Sequence, residues 1–450
     1  VVTDKTSGKP GSGGIIKVVA ASMAGTTVEW YDFFLYGVAA AVVFPAVFFP
    51  SNDPAVGTLL ALGTFAIGFI ARPIGGLVFG HYGDKLGRKK LLVISLVGMG
   101  VATFAIGLLP GYATIGFAAP VLLTVLRLVQ GFAIGGEWGG AVLIVSEHGD
   151  PARRGYWASW PQAGVPIGQL LANGLLFVLA AVQSEQDFQS WGWRIPFLLS
   201  AVLVLIGLYI RLSIEESPIF KAAQARAAEL AAAGEKEIVP IVDVFRRYPR
   251  EVFTAMGARF VENVCYYVFT IVITSYVTQR LGLPSSFVLG AVLIGAAVHV
   301  VVIPIWGALS DRFGRKPIYL LGAAGVGVWA FVFFALVDTG NFALTVLAVV
   351  GGLVFHAAMY GPQAAFLSEL FGTKVRYSGV SVGYQLASVV AGGIAPLIAV
   401  WLYTTFDSGY AVSVYVALSA VLTIVAVAGY GETSKRDLSE DHAISPGTSR

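Results

Sequence analysis

Long apolar runs recur along the chain, separated by short polar segments. About 20 apolar residues rising 1.5 Å each cross a hydrocarbon core of about 30 Å. The pattern predicts twelve spanning helices. The first six cover 17–48, 55–80, 91–110, 116–146, 156–182 and 193–212. The second six cover 251–279, 286–309, 318–338, 342–368, 378–404 and 410–430. Five segments follow from this: a tail (1–16), a six-helix bundle (17–212), a hydrophilic linker (213–250), a second bundle (251–430) and a polar tail (431–450). The linker stretch KAAQARAAELAAAGEKE reads either as flexible chain or as a short surface helix. The polar C-terminal tail is expected to be disordered. Residues 1–14 are polar and Gly/Ser-rich, and the first apolar run holds acids, which is unlike a cleaved signal peptide.

Composition narrows the class. Of 450 residues, 56% are hydrophobic and 12% charged, with a mean hydropathy of +0.77. Soluble domains carry about 25% charged residues, so this chain could not cover a soluble surface. That excludes a soluble enzyme and a disordered chain. The single cysteine, Cys265, allows no internal disulfide or cysteine metal cluster. Five histidines show no ligand spacing, and a net charge of +3 is too weak to suggest nucleic acid. No metal and no cofactor are expected.

Charge sets the orientation. Of 29 Lys and Arg, Arg194 and Arg280 border one set of loops and Arg72, Arg127 and Arg259 lie within spans. All others fall in the tails or the alternate loops, which marks that side as cytoplasmic. A multi-pass inner-membrane (plasma-membrane) protein with both termini inside is expected.

The halves repeat. GHYGDKLGRKK (Gly80–Lys90) follows helix two and GALSDRFGRKP (Gly307–Pro317) follows helix eight. Aligning Asp84 with Asp311 also aligns Gly87 with Gly314 and Arg88 with Arg315. Glu147 precedes Arg154 by seven residues, as Glu369 precedes Arg376. Two bundles of six suggest a transporter with its site between them near mid-membrane.

GDKLGRKK resembles the loop-two signature of the major facilitator superfamily, and RLVQG (Arg127–Gly131) its helix-four motif. EWYDFFLYG, ARPIGGLVFGHYGDKLGRK, GGEWGGA, WGWRIPF, RLSIEESPIF and ELFGTKVRYSG are similar to segments of the metabolite:proton symporter family. The resemblance covers nearly the whole chain apart from the tails. It implies an all-α fold of two pseudo-symmetric bundles, and proton-driven uptake of organic acids or of zwitterions such as proline and betaine. It does not choose among these. The short tail lacks the heptads of the family's osmosensing members.

Ionisable side chains inside spans cost about 2.5–3.5 kcal/mol on insertion scales, so they invite a functional reading. The set is Glu29, Asp32, Arg72, Arg127, Glu137, Arg259 and Glu262. Glu29, Asp32 and Tyr36 share one face of helix one. Arg127, Gln130 and Glu137 share one face of helix four. Asp32 with Arg127 resembles the acid–arginine pair of proton-coupled sugar symporters. Asp32 is read as the proton carrier whose affinity Arg127 resets; a permanent structural ion pair is the other reading. Glu29 and Glu137 are alternative carriers, or caps of local polar contacts. Arg72, just before Pro73, either contacts substrate or pairs with a helix-one acid.

Helix seven offers Arg259, Glu262, Asn263, Tyr266 and Tyr267, with Arg259 and Glu262 spaced to pair. Helix ten offers His356, Tyr360 and Gln363. Gln162, Gln169 and Asn173 on helix five, with Tyr384 and Gln385 on helix eleven, complete a polar-aromatic lining. Each is equally readable as packing between helices. His356 reads more naturally as a satisfied core residue than as a proton carrier, and His299 as weaker still. Arg72, Arg127 and Arg259 suit a carboxylate clamp.

Asp84, Arg88, Asp311 and Arg315 are read as a latch between the bundles, in which the acid also meets a helix N-terminus. The pairs Glu147–Arg154 and Glu369–Arg376 would extend it. The basic residues also enforce topology. Pro161 and Pro166 predict a kinked or partly unwound helix five. With no nucleotide-binding motif, the energy should come from an ion gradient. The expectation is a monomeric proton symporter of a small organic anion; antiport and zwitterion uptake remain open.

Overall fold

A computed structural model describes residues 12–86, 88–135, 145–146, 150–213, 240–372 and 376–436. The first half holds α1 (Ser12–Val42), α2 (Pro54–Leu86), α3 (Arg88–Leu108), α4 (Ala118–Ile134), α5 (Arg154–Val182) and α6 (Arg194–Ser213). The second half holds α7 (Pro249–Arg280), α8 (Ser285–Phe313), α9 (Arg315–Val337) and α10 (Phe342–Leu370). It ends with α11, from Arg376–Ala387 through Ser388–Gly393 to Ala395–Phe406, and α12 (Gly409–Ala428). Eleven expected spans coincide with one of these helices to within about six residues; the fourth, 116–146, matches α4 at its start, and its residues 136–144 lie outside the described residues. Among the described residues, eight helices are long and apolar enough to cross a membrane, or nine with α6 and its bent preceding turn. α3 and α4 are shorter apolar helices, and α1 carries Lys17, Glu29 and Asp32.

The exterior is apolar where lipid would lie. Leu60, Val101, Leu205, Val301, Val328 and Leu418 are exposed. In water such a surface would be a liability; in a bilayer it is the solvated face. Polar and charged groups turn inward instead.

Small residues let the helices approach closely. Gly131 of α4 lies against the Gly68 carbonyl of α2, and Gly68 lies beside the Arg127 side chain. Gly155 of α5 faces Gly307 of α8. A Cβ on either would sit 2.6 Å from the other's carbonyl oxygen. This seam, with α5 on one side and α8 on the other, joins the bundles.

Two expectations about helix shape change. α5 runs as continuous helix through Pro161 and Pro166, and α2 through Pro73. Neither is unwound. The irregularity sits elsewhere: α7 contains π-helical turns at Val268–Val272 and Tyr276–Arg280, and α11 one at Ser388–Gly393. Wide turns of this kind are frequent at functional sites. In the linker, Pro240–Arg247 is helical. The stretch KAAQARAAELAAAGEKE lies outside the described residues.

The start of the C-terminal tail corrects a further expectation; residues 437–450 lie outside the described residues. Residues 431–436 are docked rather than loose, and Thr433 is fully buried. Gly314, at φ +99°, forms the single-residue turn between α8 and α9. The Glu432 carboxylate caps the α9 N-terminus, accepting from the backbone N–H groups of Arg315 (2.9 Å) and Lys316 (3.0 Å). It also accepts from those of Thr433 and Ser434. Burial alone would push the Glu432 carboxyl up; these four donors outweigh it and hold it below the ordinary carboxylate range.

Candidate functional site

The second bundle builds its centre from α7, α8, α10 and α11. Arg259 and Glu262, one turn apart on α7, form the expected pair at 3.1 Å. Arg259 also donates to Gln363 Oε1 (2.7 Å), Asn263 Oδ1 (3.2 Å) and Ser388 Oγ (3.3 Å). Its guanidinium lies 3.5 Å from the Tyr384 ring centroid. The opposite charge, the donors and the aromatic face together make a buried cation tolerable.

Glu262 accepts from Gln363 Nε2 at 3.2 Å and meets His356 Nε2 at 3.2 Å. His356 Nδ1 meets His299 Nε2 at 2.9 Å. His356 is therefore not a lone core histidine. His299, which sequence reasoning set aside, is its partner. Nothing in helical periodicity could have paired them, because they lie 57 residues apart on α8 and α10.

A small cavity lies beside this cluster, lined by Arg259, Glu262, Asn263, Tyr266, Tyr267, His356 and Tyr360 and closed on the far side by Trp30 and Val165. The two bundles thus share it. Tyr266 OH donates across the bundles to Gln169 Oε1 (2.9 Å). Gln162 Nε2, Gln169 Nε2 and both ends of the Asn173 amide are buried without a hydrogen-bond partner. Unpaired buried amides are rare unless a ligand or water satisfies them. Gln385 is half satisfied: its Nε2 donates to the Gly135 carbonyl (3.1 Å), while its Oε1 is buried without a partner.

The first bundle holds the other charges. Arg127 Nη1 donates to Gln130 Oε1 (3.1 Å), and Gln130 donates on to Thr103 Oγ1 (2.7 Å). The Arg127 guanidinium lies 4.1 Å from the Tyr36 ring centroid. Tyr36 itself is hydrogen bonded to Thr64 and does not line the cavity. Arg72 sits between Phe33 and Phe69, at 4.6 and 4.4 Å from their centroids, and feels the charge of Glu29.

Asp32 corrects the expected pairing. It is 1% exposed, and apart from the nearby Thr103 hydroxyl its carboxylate oxygens have no hydrogen-bond partner. Arg127 acts on it through space, but no ion pair joins them in this closed arrangement. Glu137 lies outside the described residues.

The latch is crossed rather than local. Asp311, on α8, accepts from the backbone N–H groups of Gly155 (2.8 Å) and Tyr156 (2.9 Å), capping α5 of the other bundle. Arg315 pairs with Asp311 (2.7 Å) and Glu369 (3.3 Å). Arg154, on α5, pairs with Glu369 at 2.9 Å. Glu369 therefore reaches across the seam to Arg154 instead of back to Arg376. Arg376 Nε reaches the Ser368 and Phe371 carbonyls. Thr433 Oγ1 donates the remaining bond to Glu369, at 2.7 Å. Glu147 and the side chains of Asp84 and Arg88 lie outside the described residues. At the opposite end Gln279 of α7 donates to Thr58 of α2 (2.6 Å). The bundles touch on both sides of the cavity, so it is occluded.

The model of a family described as sugar (and other) transporter matches residues 17–444. The chain belongs to that transporter family. It is a multi-pass membrane transporter with the major facilitator fold, and not an enzyme. Its relatives bear out the narrower likeness to metabolite:proton symporters. The inner membrane metabolite transport protein YhjE of Escherichia coli is 42% identical over 94% of this chain and 95% of that protein. The shikimate transporter of the same species is 40% identical over 90% and 92%. Its proline/betaine transporter is 35% identical over 95% and 85%. Among solved structures, the E. coli xylose transporter XylE in a partially occluded inward-open conformation matches with a TM-score of 0.72, at 18% identity over 95% of this chain and 100% of that one. At that identity the likeness carries the fold alone. Within this transporter family fold, the cavity described above occupies the interface between the bundles.

Proposed function

We propose that the transporter imports a small organic anion together with a proton, by opening one central site alternately to the two faces of the inner membrane. Both termini would lie in the cytoplasm, on the side of the Arg154–Glu369 latch. The observation that carries this reading is Asp32, an enclosed carboxylate with no ion pair and only the Thr103 hydroxyl near enough to act as a donor. A buried charge left in that condition costs several kcal/mol, and a bound proton removes it. Arg127, close enough to act on it through space, is placed to displace that proton when the bundles move.

Charge balance supports an anion. Arg259 and Glu262 neutralise each other. Among the other described intramembrane residues of the first bundle, Arg72 and Arg127 face Glu29 and Asp32. Counting these described residues and leaving aside Glu137, which lies outside them, a proton on Asp32 leaves one guanidinium that a carboxylate substrate would neutralise. Proton and anion would thus travel as a neutral pair. The cavity walls favour one competitor. Trp30, Tyr266, Tyr267 and Tyr360 offer aromatic faces, which also suit a quaternary ammonium such as betaine.

The test uses purified protein in proteoliposomes, acidic outside, with shikimate, α-ketoglutarate, citrate, proline and betaine as the panel. A gradient of one pH unit stores about 1.4 kcal/mol per proton, enough for about tenfold accumulation. Uphill uptake abolished by a protonophore is expected for one carboxylate. Asp32→Asn should bring the substrate only to equilibrium while still exchanging it across the membrane. Full pH-driven accumulation by Asp32→Asn would refute the carrier role. Accumulation of betaine alone would replace the anion with a zwitterion, and efflux would reverse the direction.

A further inference from the structure

The Glu262–His356–His299 chain is not used by the mechanism above. It runs through α7, α10 and α8, with relative exposures of 3%, 1% and 0%. One end, Glu262 and His356, borders the cavity; His299 does not. The other end is His299 Nδ1, which is buried with no partner.

Hydrogen-bond logic fixes what the chain can hold. With Glu262 ionised, His356 Nε2–H donates to Glu262 and His356 Nδ1 accepts from His299 Nε2–H. His299 Nδ1 is then a lone pair with no donor. It is the free acceptor at the buried end of the chain, as the Glu262 carboxylate is at the cavity end. A proton arriving there moves on without displacing any heavy atom. His299 forms Nδ1–H and gives its Nε2 proton to His356 Nδ1. His356 gives its Nε2 proton to the Glu262 carboxylate. Two N–H bonds break (His299 Nε2–H and His356 Nε2–H) and three bonds form (His299 Nδ1–H, His356 Nδ1–H and Glu262 O–H); the difference is the one proton taken from water at His299 Nδ1, and the net result is one proton delivered to the cavity wall.

The surroundings suit a cationic intermediate. The Tyr266 ring lies 4.7 Å from His356 and 5.7 Å from His299, and the Tyr360 ring lies 5.2 Å from His356. Aromatic faces stabilise an imidazolium between them. The other ionisable groups around the chain are Arg259 and Tyr267 on α7, Tyr319 on α9 and Tyr384 on α11. Arg259 is paired with Glu262, Tyr319 accepts from Gln363 Nε2, and Tyr384 stacks on Arg259. Across the seam α5 offers the Gln169 amide to Tyr266. The two imidazoles point at each other, so they leave no common vertex for a metal ion. Among the described residues no His/Cys/Asp/Glu group has metal-holding geometry.

We propose that Glu262, His356 and His299 form a second proton-binding site, a buried relay that delivers a proton to the substrate cavity from the second bundle. It rests on the transport reading for its purpose but not for its existence. With the relay loaded, Arg259, Glu262 and the imidazolium leave the cavity wall one positive charge in excess. The proton would therefore recruit a carboxylate on this side as Asp32 does on the other.

The deciding experiment is imidazole nitrogen NMR of the full chain labelled at histidine, with protons as the only ligand. There are five histidines, at positions 81, 148, 299, 356 and 442, assigned by single His→Gln variants. His299 and His356 should change tautomer or protonation together, in one linked step, as pH is varied. In Glu262→Gln, which keeps the side-chain shape, the linked step should move by about one pH unit or more. Two rings that titrate independently, or that each keep one tautomer throughout, would overturn the relay. The wild-type titration decides even if a variant fails to fold. A titrating relay in a protein whose uptake ignores protons would sink the transport reading alone. Proton-driven, Asp32-dependent uptake with inert rings would sink the relay alone.

Discussion

Arg259 is the most heavily partnered of the intramembrane charges, and its neighbour Glu262 depends on it. Removing one member of a buried pair leaves the other uncompensated, which costs about 3–5 kcal/mol; removing both is often close to neutral. Arg259→Gln should therefore lower thermal stability markedly, and Arg259→Gln with Glu262→Gln should recover most of the loss. Unfolding of the detergent-solubilised variants measures this. If the double variant is as unstable as the single, the pair is not what holds α7 in place. This pair was legible in the sequence, because a spacing of three puts both side chains on one face of one helix. The His299–His356 contact was not, since it depends on the relative register of two helices. Asp32 shows the same limit from the other side: its burial was legible, while the absence of an ion pair to Arg127 was a matter of how α1 and α4 sit together.

At the scale of elements, α5 and α8 meet through Gly155 and Gly307, and the closed arrangement depends on that contact. Gly307→Ala places a methyl 2.6 Å from the Gly155 carbonyl. Overpacking of this kind costs about 1–3 kcal/mol, and only in the conformation where the seam is shut. The variant should favour opening on the latch side. Distances between spin labels on the ends of α5 and α8 would report it, and an unchanged distribution would show that the seam does not set the balance. The prolines of α5 pointed to a kinked or partly unwound helix, and the helix is not unwound. The widened turns fall in α7 and α11, where no proline precedes the break at Val268 or Ser388. Intrinsic propensity marks where a helix is weak, whereas packing decides where it widens.

At the scale of the whole molecule, the latch ties three distant pieces: the α5 N-terminus, the α8–α9 turn with Glu369, and the segment after α12. Because folding depresses the Glu432 carboxyl, its contribution is fully present above the ordinary carboxylate value of about 4.3. It is lost as pH falls through the lower folded value. Hydrogen exchange of residues 431–436 should therefore be slow at neutral pH and rise sharply below about pH 4. Glu432→Gln should exchange fast at all pH values. Equal protection in both proteins would mean that Thr433 and Arg436 hold the segment without it. The repeated Asp–Gly–Arg and Glu–Arg spacings pointed to Asp311, Arg315, Glu369 and Arg154, which the structure brings together, but suggested local pairs. Glu369 instead bonds Arg154 across the seam, with Thr433 completing its shell.

Apolar run length, Lys/Arg asymmetry and the internal repeat determined the membrane setting and the two-bundle plan, because each is a property of local chain composition measured against a bilayer of fixed thickness. Single-helix faces determined which polar groups turn inward. Tertiary structure alone decided which of those groups meet: the crossed latch, the Glu262–His356–His299 chain, the unpaired Asp32 and the docked tail. Each depends on the offset and rotation of one helix against another. That offset is set by small-residue contacts such as Gly68 with Gly131 and Gly155 with Gly307, between segments far apart in sequence, and no periodicity within either segment records it.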